Sequence, residues 1–352
     1  MSILMNRNAC IRRFLASFLL SAAIVSYTEA EQARFWMPIR NFLLTPNKNL
    51  STLDHKYASL GVNLKASDSG YYLNPWQVAS SVLGEAIISI DSNCNSLSNS
   101  QRSKLISISD LLLSKSSSRL SNELTSRIWP YSIPYTYGLK PGWISAPAQA
   151  EIALVLTSAY ICSGKSTYMK SATEAMRVFD LPIEDGGVLA DADGMSWFEE
   201  YAQPSIEPPR VLNGHIYTIL ALQKIRLYHP RATQLVNDGL ISLKHNLYRY
   251  DKVTWSMYDL DGEPANNIYQ QKLHIRQLGT LYDLTRDPFF SRYYHRFLWH
   301  LINPFSSLQR LALRPSRFLS FLVALNTVAL FLTSVCFSPL FRLCPFRRNE
   351  SL

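Results

Sequence analysis

Four polar loops carry most of the aromatic and charged side chains in this sequence that could do chemistry. They cover residues 71–75, 135–147, 197–214 and 258–274, and they combine tyrosines and tryptophans with carboxylates and arginines. Arginine holds a carboxylate through two parallel hydrogen bonds, and aromatic faces supply flat apolar surfaces that suit sugar rings. If the loops meet in space, these residue types predict a cleft for an acidic sugar polymer.

Each loop leads directly into an apolar helical segment. These segments begin near residues 75, 145, 211 and 271, and a second helical segment follows each one, near 101, 167, 232 and 289. A repeat of roughly 60–70 residues is typical of a stacked architecture. We therefore predict an all-α fold, an (α/α) toroid or incomplete barrel of about four helical hairpins. Alternate helices would then line one wall and gather the four loops at one rim.

The helix N-termini at such a rim favour an anionic ligand. Free backbone N–H groups and the positive end of each helix dipole point toward the loops. The apolar positions of the segments 148–160, 216–227 and 271–284 recur with the helical period. Alternation typical of strands is scarce, so we expect no β-domain of useful size.

The N-terminal segment has the pattern of a secretory signal. Arg7, Arg12 and Arg13 precede a short apolar stretch over 14–27, and small residues around Ala30 suggest cleavage there. We predict a signal peptide over 1–30, with an uncleaved anchor as the alternative. An irregular segment over 31–70 is expected to wrap the outside of one helical domain over 71–302.

The C-terminal segment is predicted to cross a membrane. Residues 318–341 carry no charge and are long enough to span a bilayer as a helix. A basic linker (303–317) precedes them and a basic tail (342–352) follows. With the signal sequence, this predicts a single C-terminal pass and an exported catalytic domain, periplasmic, extracellular or lumenal. A hydrophobic tail buried against the domain is the alternative.

The positive net charge belongs to the ends of the chain. Residues 1–13 and 291–352 hold eleven arginines and one acidic residue, so the remainder is nearly neutral although the whole chain carries +9. We therefore predict no nucleic-acid partner.

The sequence contains no metal-ligand motif, and we expect neither a metal nor a cofactor. Cys94 and Cys162 would be exported together and could pair, but their spacing matches no known pattern.

Several short motifs resemble one family when they are read in series. Residues 141–149 (PGWISAPAQ) resemble the "PGWYSAMAQG" signature of the D-glucuronyl C5-epimerase C-terminal domain. Residues 197–201 (WFEEY) and 211–214 (VLNG) resemble its "W-x-EEY…VLNG" segment. The YDL at 258–260 and the HIRQL at 274–278 resemble its later motifs. The order and spacing agree over roughly 120–290.

This resemblance implies the same (α/α) toroid and a reaction that inverts C5 of uronic acids within a polysaccharide. The C5 hydrogen lies beside a carboxylate and is weakly acidic, so the reaction needs a base on one ring face and an acid on the other. Catalytic and substrate-binding roles follow for eleven residues. The catalytic candidates are Glu200 as the base and Tyr201, Tyr258 and Tyr269 as proton donors. The substrate-binding candidates are Trp143, Gln149, Glu199, Arg210, Asn213, His274 and Arg276.

Each role has a simpler alternative. Adjacent acidic residues are often solvated or cap a helix, and the tyrosines could serve packing alone. His274 lies in an apolar helical segment and equally fits a hydrogen-bonded core position.

Four positions depart from the family pattern. Ile144 and Pro147 replace a tyrosine and a methionine, and Asp261 stands where the animal enzymes carry an arginine. Gln270 occupies the position of a late catalytic tyrosine, with Tyr269 one residue earlier. On a helix, such a shift would turn the side chain by about 100°.

Two other functions therefore remain open. A polysaccharide lyase or hydrolase could use the same toroid, although Glu199 and Glu200 are too close in sequence to straddle a glycosidic bond. A non-catalytic glycan-binding or assembly protein is the second alternative. Under every alternative, the expected partners are an acidic, uronate-containing polysaccharide and a lipid bilayer, with a homodimer as a further candidate.

Overall fold

The computed structural model describes two compact units of the chain. The residues described are 7–44, 57, 60–62, 64–67, 70–83, 94, 97–121, 124–266, 269–303 and 305–336. The terminal unit contains Met1–Asn47, Asp251–Met257 and Glu263–Leu352. The central unit contains Lys48–Tyr250 and Tyr258–Gly262. The fold is mostly helical, as the sequence predicted.

Three helical hairpins occur among the described residues of the central unit. They are α2 (Pro75–Leu83) with α3 (Asn99–Ser114), α4 (Ala146–Ser163) with α5 (Ser166–Met176), and α6 (Leu212–Ile225) with α7 (Pro230–Asn246). The first helices of successive hairpins pack side by side, α2 against α4 and α4 against α6. Each of them also contacts the second helix of its own hairpin.

Local sequence explains where these helices begin and end. Ser98 and Gln101 form a reciprocal capping box at the start of α3. Pro147 and Pro230 lie in the first turns of α4 and α7, where a missing N–H costs nothing. Gly164 ends α4 in the left-handed conformation, with φ of 69°.

Helix α4 lies at the centre of this unit. Its residues from Ala146 to Ala159 are almost all buried, and its apolar residues surround the helix rather than forming one stripe. A helix of this kind is stable only when other elements cover all its faces. Helices α2, α3, α5 and α6 all contact it.

The described part of the central unit also contains three short antiparallel ribbons, which the sequence analysis did not predict. They pair β1 (Lys65–Ser67) with β2 (Gly70–Tyr72), β3 (Ser117–Ser121) with β4 (Leu124–Ile128), and β5 (Leu189–Ala192) with β6 (Met195–Phe198). In their registers Lys65 faces Tyr72 and Leu189 faces Phe198. Strands of three to five residues are too short to produce a clear alternating pattern.

Cys94 and Cys162 form a disulfide in the central unit. The bridge joins the chain ahead of α3 to the last turn of α4 across a sequence separation of 68 residues. The pairing left open from the sequence is therefore present in this structure.

In the described part of the terminal unit there are five α-helices. They are α1 (Arg7–Leu44), α8 (Gln270–Thr285), α9 (Pro288–Ile302), α10 (Ser306–Leu313) and α11 (Arg317–Cys336). Helix α8 pairs with α9, and α1 contacts α9, α10 and α11. Helices α1 and α11 are long and apolar enough to cross a membrane, over Ala9–Trp36 and Arg317–Val335.

The helical segments agree with the predicted positions, and two boundaries differ. All eight helices of the predicted hairpins occur, beginning at Pro75, Ala146, Leu212 and Gln270 for the first helix of each pair. Residues 31–44 continue helix α1, where an irregular wrap was expected, and Ala33 and Trp36 extend its packed face. The predicted domain over 71–302 is divided between the two units. The end of the predicted membrane segment (337–341) and the basic tail lie outside the described residues.

Candidate active site

A cleft in the central unit is lined by residues from three of the four aromatic loops. Its empty volume is roughly 420 Å³, part of which is open to solvent. We call it the tyrosine cleft. Its lining consists of Lys65, Tyr72, Asn74, Trp76, Tyr131, Tyr135, Trp143, Ser145, Glu200 and Tyr201.

Stacked aromatic rings form one wall of the tyrosine cleft. The rings of Tyr131 and Trp143 lie parallel with centroids 3.7 Å apart, and Tyr135 stacks on Tyr201 at 5.3 Å. Two backbone hydrogen bonds hold the loop, from Tyr131 N to Trp143 O (2.9 Å) and from Gly142 N to Tyr131 O (2.8 Å). The Trp143 indole donates to Ile133 O at 3.0 Å. This wall is therefore rigid and offers flat apolar surface.

Backbone pairing places the residues 199–202, which we call the acidic segment, against that wall. Ile144 and Ala202 exchange both backbone hydrogen bonds, at 3.0 and 2.9 Å, and Ala146 N donates to Glu199 O at 2.9 Å. The start of α4 and the segment after β6 therefore run side by side. As a result Ser145, Glu200 and Tyr201 line the same cleft. Ser145 is the N-cap residue of α4, yet its hydroxyl makes no capping hydrogen bond.

Glu199 points away from this cleft and binds backbone. Its carboxylate accepts hydrogen bonds from Tyr201 N (3.0 Å) and Arg210 N (2.8 Å). Complete burial raises the pKa of Glu199 to about 8, although both N–H groups favour the charged form. This geometry favours a role in shaping the loop over 197–214 rather than a contact with substrate.

Glu200 is the carboxylate of the tyrosine cleft. The Asn213 amide donates to its Oε2 at 3.3 Å. Burial raises the pKa of Glu200 to about 7, while hydrogen bonds from Tyr201 and Asn213 and the charge of Lys65 act in the opposite direction. A buried carboxylate with a pKa near neutrality is a stronger base than a solvated one and still ionises in the physiological range.

Tyr201 and Tyr258 bring two loops together at this carboxylate. Their hydroxyl oxygens are 3.0 Å apart. Backbone hydrogen bonds from Leu212 N to Tyr258 O (3.0 Å) and from Leu260 N to Pro209 O (2.9 Å) join the two segments. Burial raises the pKa values of both phenols, and the nearby Glu200 charge raises them further. Both hydroxyls therefore keep their protons at neutral pH.

A neighbouring hydrogen bond anchors the segment that carries Tyr258. The Tyr137 hydroxyl donates to Asp259 Oδ2 at 2.6 Å, and Asp259 is fully buried. Tyr137 also contacts the Tyr201 ring, at 5.4 Å between centroids.

Two predicted substrate ligands are engaged elsewhere in the central unit. The Arg210 guanidinium donates to Asp191 O (2.7 Å), Glu207 (2.8 Å) and Pro208 O (2.9 Å). Gln149 is fully buried; its oxygen accepts from Trp129 N and its amide donates to Arg127 O, both at 3.0 Å. These contacts favour structural roles for both side chains.

The remaining three predicted residues belong to the terminal unit. Tyr269 is the N-cap residue of α8 and is 53% exposed. His274 is fully buried, 3.2 Å from the Ser256 hydroxyl, and burial lowers its pKa to about 3. Arg276 is exposed. His274 is therefore neutral at physiological pH and resembles a hydrogen-bonded core histidine.

The sequence analysis assigned no role to Lys65, Tyr72, Asn74, Trp76 or Ser145, all of which line the cleft. Lys65 had a usable signal, since Ser-Asp-Ser-Gly at 67–70 is typical of a turn and would set Lys65 opposite Tyr72. No group of three His, Cys, Asp or Glu side chains that could hold a metal occurs among the residues described.

Comparison with known proteins connects the sequence of this chain to a family. The family model described as D-glucuronyl C5-epimerase C-terminus matches residues 122–299. An uncharacterized protein of Methanocaldococcus jannaschii is 34% identical over 181 residues, covering 49% of this chain and 58% of that protein. A D-glucuronyl C5-epimerase of Caenorhabditis elegans is 35% identical over 136 residues, covering 35% of this chain and 22% of that enzyme.

Proposed function

This chain belongs to the D-glucuronyl C5-epimerase C-terminus family, and from that premise we propose that it inverts C5 of uronate residues within an acidic polysaccharide. The observation that carries the proposal is the composition of the tyrosine cleft. A buried carboxylate (Glu200) and a protonated phenol (Tyr201) line it beside stacked aromatic rings and a lysine, and the Tyr258 hydroxyl lies 3.0 Å from that of Tyr201.

The reaction exchanges one proton for another on the same carbon. Glu200 removes the C5 proton, and the electron pair of the broken C–H bond moves into the adjacent carboxylate, which becomes an enediolate. A proton from the opposite face then forms the new C–H bond, and the carboxylate is restored. No oxidant or leaving group is needed, so the residues must supply only a base, an acid and charge stabilisation.

Lys65 and Ser145 are our candidates for binding the uronate carboxylate. Negative charge grows on that group in the transition state, so a cation beside it lowers the barrier. The Lys65 ammonium is near enough to Glu200 to lower its pKa, and the Ser145 hydroxyl lies at the positive end of α4. Lys65 would thus supply the positive charge that Asp261 does not.

The phenol pair is our candidate for the acid. One hydroxyl can donate to the carbanion while the other stabilises the phenolate through the 3.0 Å hydrogen bond between them. Because burial raises both pKa values, a free phenolate would be costly. The proton that Glu200 took from C5 must therefore pass to the phenolate, directly or through solvent, before the next turnover. Tyr269 stays a further predicted donor.

Exchange of solvent deuterium into the polymer tests this proposal. The full chain in detergent is incubated with a glucuronate-containing polysaccharide in deuterated water, and the C5 position is followed by NMR. We expect deuterium at C5 and a new iduronate-type signal. A product that absorbs in the ultraviolet would instead indicate elimination by a lyase. Binding of the polymer with neither change would indicate a glycan-binding protein.

Matched variants connect the exchange to the cleft. Lys65→Met and Tyr258→Phe should each reduce the exchange rate by about 10²-fold or more, since each removes a group that acts in the transition state. Lys170→Met, which removes an exposed lysine from α5, is the control and should leave the rate unchanged. Equal rates in all three variants would contradict the assignments.

We also propose that the enzyme is anchored in a membrane with its central unit in an oxidising compartment. Two observations support this. Helix α11 is long and apolar enough to span a bilayer. The disulfide between Cys94 and Cys162 is a bond that persists outside the reducing cytosol.

The proposal extends to the arrangement of the hairpins. We infer that α2, α4 and α6 form part of the inner wall of an (α/α) toroid, with α3, α5 and α7 outside. The side-by-side packing of α2, α4 and α6 supports this arrangement, as does the convergence of the loops at the N-termini of α2 and α4 on one cleft.

A further inference from the structure

Helices α1 and α11 of the terminal unit pack against each other in antiparallel directions. The Arg13 guanidinium donates to Ser334 O at 3.5 Å, and the rings of Phe14 and Phe331 are 5.7 Å apart. Farther along, the Ser21 hydroxyl donates to Val323 O at 2.8 Å. Residue numbers rise along one helix as they fall along the other. The N-terminal segment thus has a specific partner at the other end of the chain.

The two faces of α1 differ in residue size and polarity. Toward its neighbours α1 buries small residues, namely Ser17, Ser21, Ala22, Val25 and Ser26. Outward it exposes bulky apolar residues, namely Phe14, Leu15, Leu19 and Leu20, and α11 likewise exposes Phe321, Leu325, Val328 and Leu332. Small and hydroxyl-bearing residues at the contact with large apolar residues outside are typical of helix pairs in lipid.

A buried ion pair continues the contact beyond the apolar stretch. Arg310 of α10 donates to both oxygens of Glu29, at 2.5 and 3.3 Å, and both residues are buried. The Arg310 guanidinium also lies 4.5 Å from the Trp255 ring. One turn earlier on α1, the hydroxyls of Ser26 and Ser307 are 2.6 Å apart. A buried arginine without its carboxylate would be strongly unfavourable.

We propose that α1 is not removed as a signal peptide but remains as a second membrane span, paired with α11. Cleavage after Ala30 would remove Glu29 and Ser26 and leave Arg310 and Ser307 buried without these partners. The spans Ala9–Trp36 and Arg317–Val335 contain 28 and 19 residues, enough to cross the hydrocarbon core of a bilayer. Lipid chains are the partner that suits their exposed apolar faces.

A retained α1 also limits the topology. Because the helices are antiparallel, the N-terminus of α1 and the C-terminus of α11 lie on the same side of the bilayer. Arginines flank both sides of the helix pair, with Arg12 and Arg13 at one side and Arg34, Arg314 and Arg317 at the other. The pairing therefore rests on the helix contacts and not on the charge of the flanks.

The mature N-terminus provides the first test. The full chain with a C-terminal tag is expressed, its membranes are washed with alkaline carbonate, and the detergent-extracted protein is analysed by intact mass and N-terminal peptide mapping. We expect the protein to stay in the washed membranes and to contain residues 14–30. A mature protein that begins at Glu31, or release by carbonate, would overturn the proposal.

Retention of a cut helix provides the second test. A protease site is inserted between residues 47 and 48, and after cleavage the C-terminally tagged fragment is recovered in mild detergent. We expect residues 1–47 to be recovered with it. Glu29→Arg or Arg310→Glu alone should reduce that recovery about tenfold or more, because each leaves a buried charge unpaired. The double variant, Glu29→Arg with Arg310→Glu, should restore the recovery of residues 1–47.

Arg34→Glu, which changes an exposed residue of the same helix, is the control and should not alter recovery. Loss of residues 1–47 from the wild-type protein, or equal losses in the single and double variants, would contradict the pairing. Neither test measures epimerase activity, so either proposal can fail while the other stands.

Discussion

At the scale of single residues, two adjacent glutamates differ in function because of their neighbours. Glu199 accepts two backbone N–H groups, from Tyr201 and Arg210, whereas Glu200 faces the tyrosine cleft beside Asn213. The two residues follow the end of β6, where the chain bends and directs their side chains to different partners. The difference arises from the backbone and predicts different consequences when each carboxylate is neutralised.

Glu200→Gln should abolish C5 exchange, by about 10³-fold or more, since an amide cannot act as a base. Glu199→Gln should instead lower the free energy of unfolding by about 1–3 kcal/mol, because one of the two N–H groups loses its acceptor. Deuterium exchange and thermal melts in detergent measure the two effects. The assignment fails if the results are reversed, so that Glu199→Gln is inactive but stable and Glu200→Gln is active but less stable.

The pH dependence of the reaction should report Glu200. Its pKa is raised to about 7 by burial, and the base must be deprotonated to act. Hence kcat/KM for exchange should rise with pH and reach half its plateau near pH 7. A profile that is flat between pH 5 and about 9 would exclude a base of this pKa.

The same shift predicts a stability effect of definite sign. The folded-state pKa of Glu200 is above its ordinary value, so its contribution to stability is fully present below about pH 4.5 and is lost as pH rises through about 7. At pH 8, Glu200→Gln should therefore be more stable than the wild type, by about 3 kcal/mol. Melting curves at pH 5 and pH 8 measure this, and the gain should shrink at the lower pH.

At the scale of elements, helix α6 approaches the acidic segment at a glycine. A Cβ built on Gly214 would lie 2.5 Å from Glu200 Oε2 and 2.7 Å from its Cβ. Only hydrogen leaves enough space there, so the close contact between α6 and the acidic segment positions the proposed base.

Gly214→Ala should displace Glu200, reduce exchange by about tenfold or more, and lower stability by about 1–3 kcal/mol. Gly279→Ala in α8 is the matched control, because its Cβ would meet Tyr294 at an ordinary 3.4 Å. Alanine favours a helix over glycine by up to about 1 kcal/mol, so this control should be neutral or stabilising. Similar losses in both variants would argue against a special role for Gly214.

At the scale of the whole molecule, the disulfide bears on the compartment that we propose for the central unit. The Cys94–Cys162 bridge closes a segment with a sequence separation of 68 residues. Cross-links over such lengths restrict the unfolded chain strongly. A bond of this kind suits the exported domain that we propose, because disulfides are rare in a reducing cytosol.

Cys94→Ser should lower the free energy of unfolding of the central unit by about 4 kcal/mol, because the unfolded chain regains the conformational entropy that the cross-link removes. Thermal melts with and without reductant measure the effect. Reductant should lower the stability of the wild type by the same amount, whereas it should not change the stability of Cys94→Ser. A wild-type thiol at Cys94 that is alkylated without reduction would contradict the bridge.

Local patterns in the sequence were sufficient for the helices and for the family. Apolar periodicity and prolines located the helices that begin at Pro75, Ala146, Leu212 and Gln270, since both signals act over a few residues. The serial motifs around Trp143 and Glu200 identified the family for the same reason. The three ribbons were not predicted because strands of three to five residues leave too weak a pattern.

Only the tertiary structure decided which polar groups meet. The 3.0 Å contact between Tyr201 and Tyr258 joins residues 57 positions apart, and the Glu29–Arg310 pair joins residues 281 positions apart. The sequence analysis proposed Arg210 and Gln149 as substrate-binding residues. In the structure their side-chain N–H groups donate to neighbouring backbone carbonyls and, for Arg210, also to a carboxylate. Lys65 was not selected, because its place in the cleft depends on the pairing of β1 with β2 opposite Tyr72 and on its distance from Glu200. Residue type and spacing determine local conformation, whereas burial and partnership depend on contacts that form only when distant segments pack together.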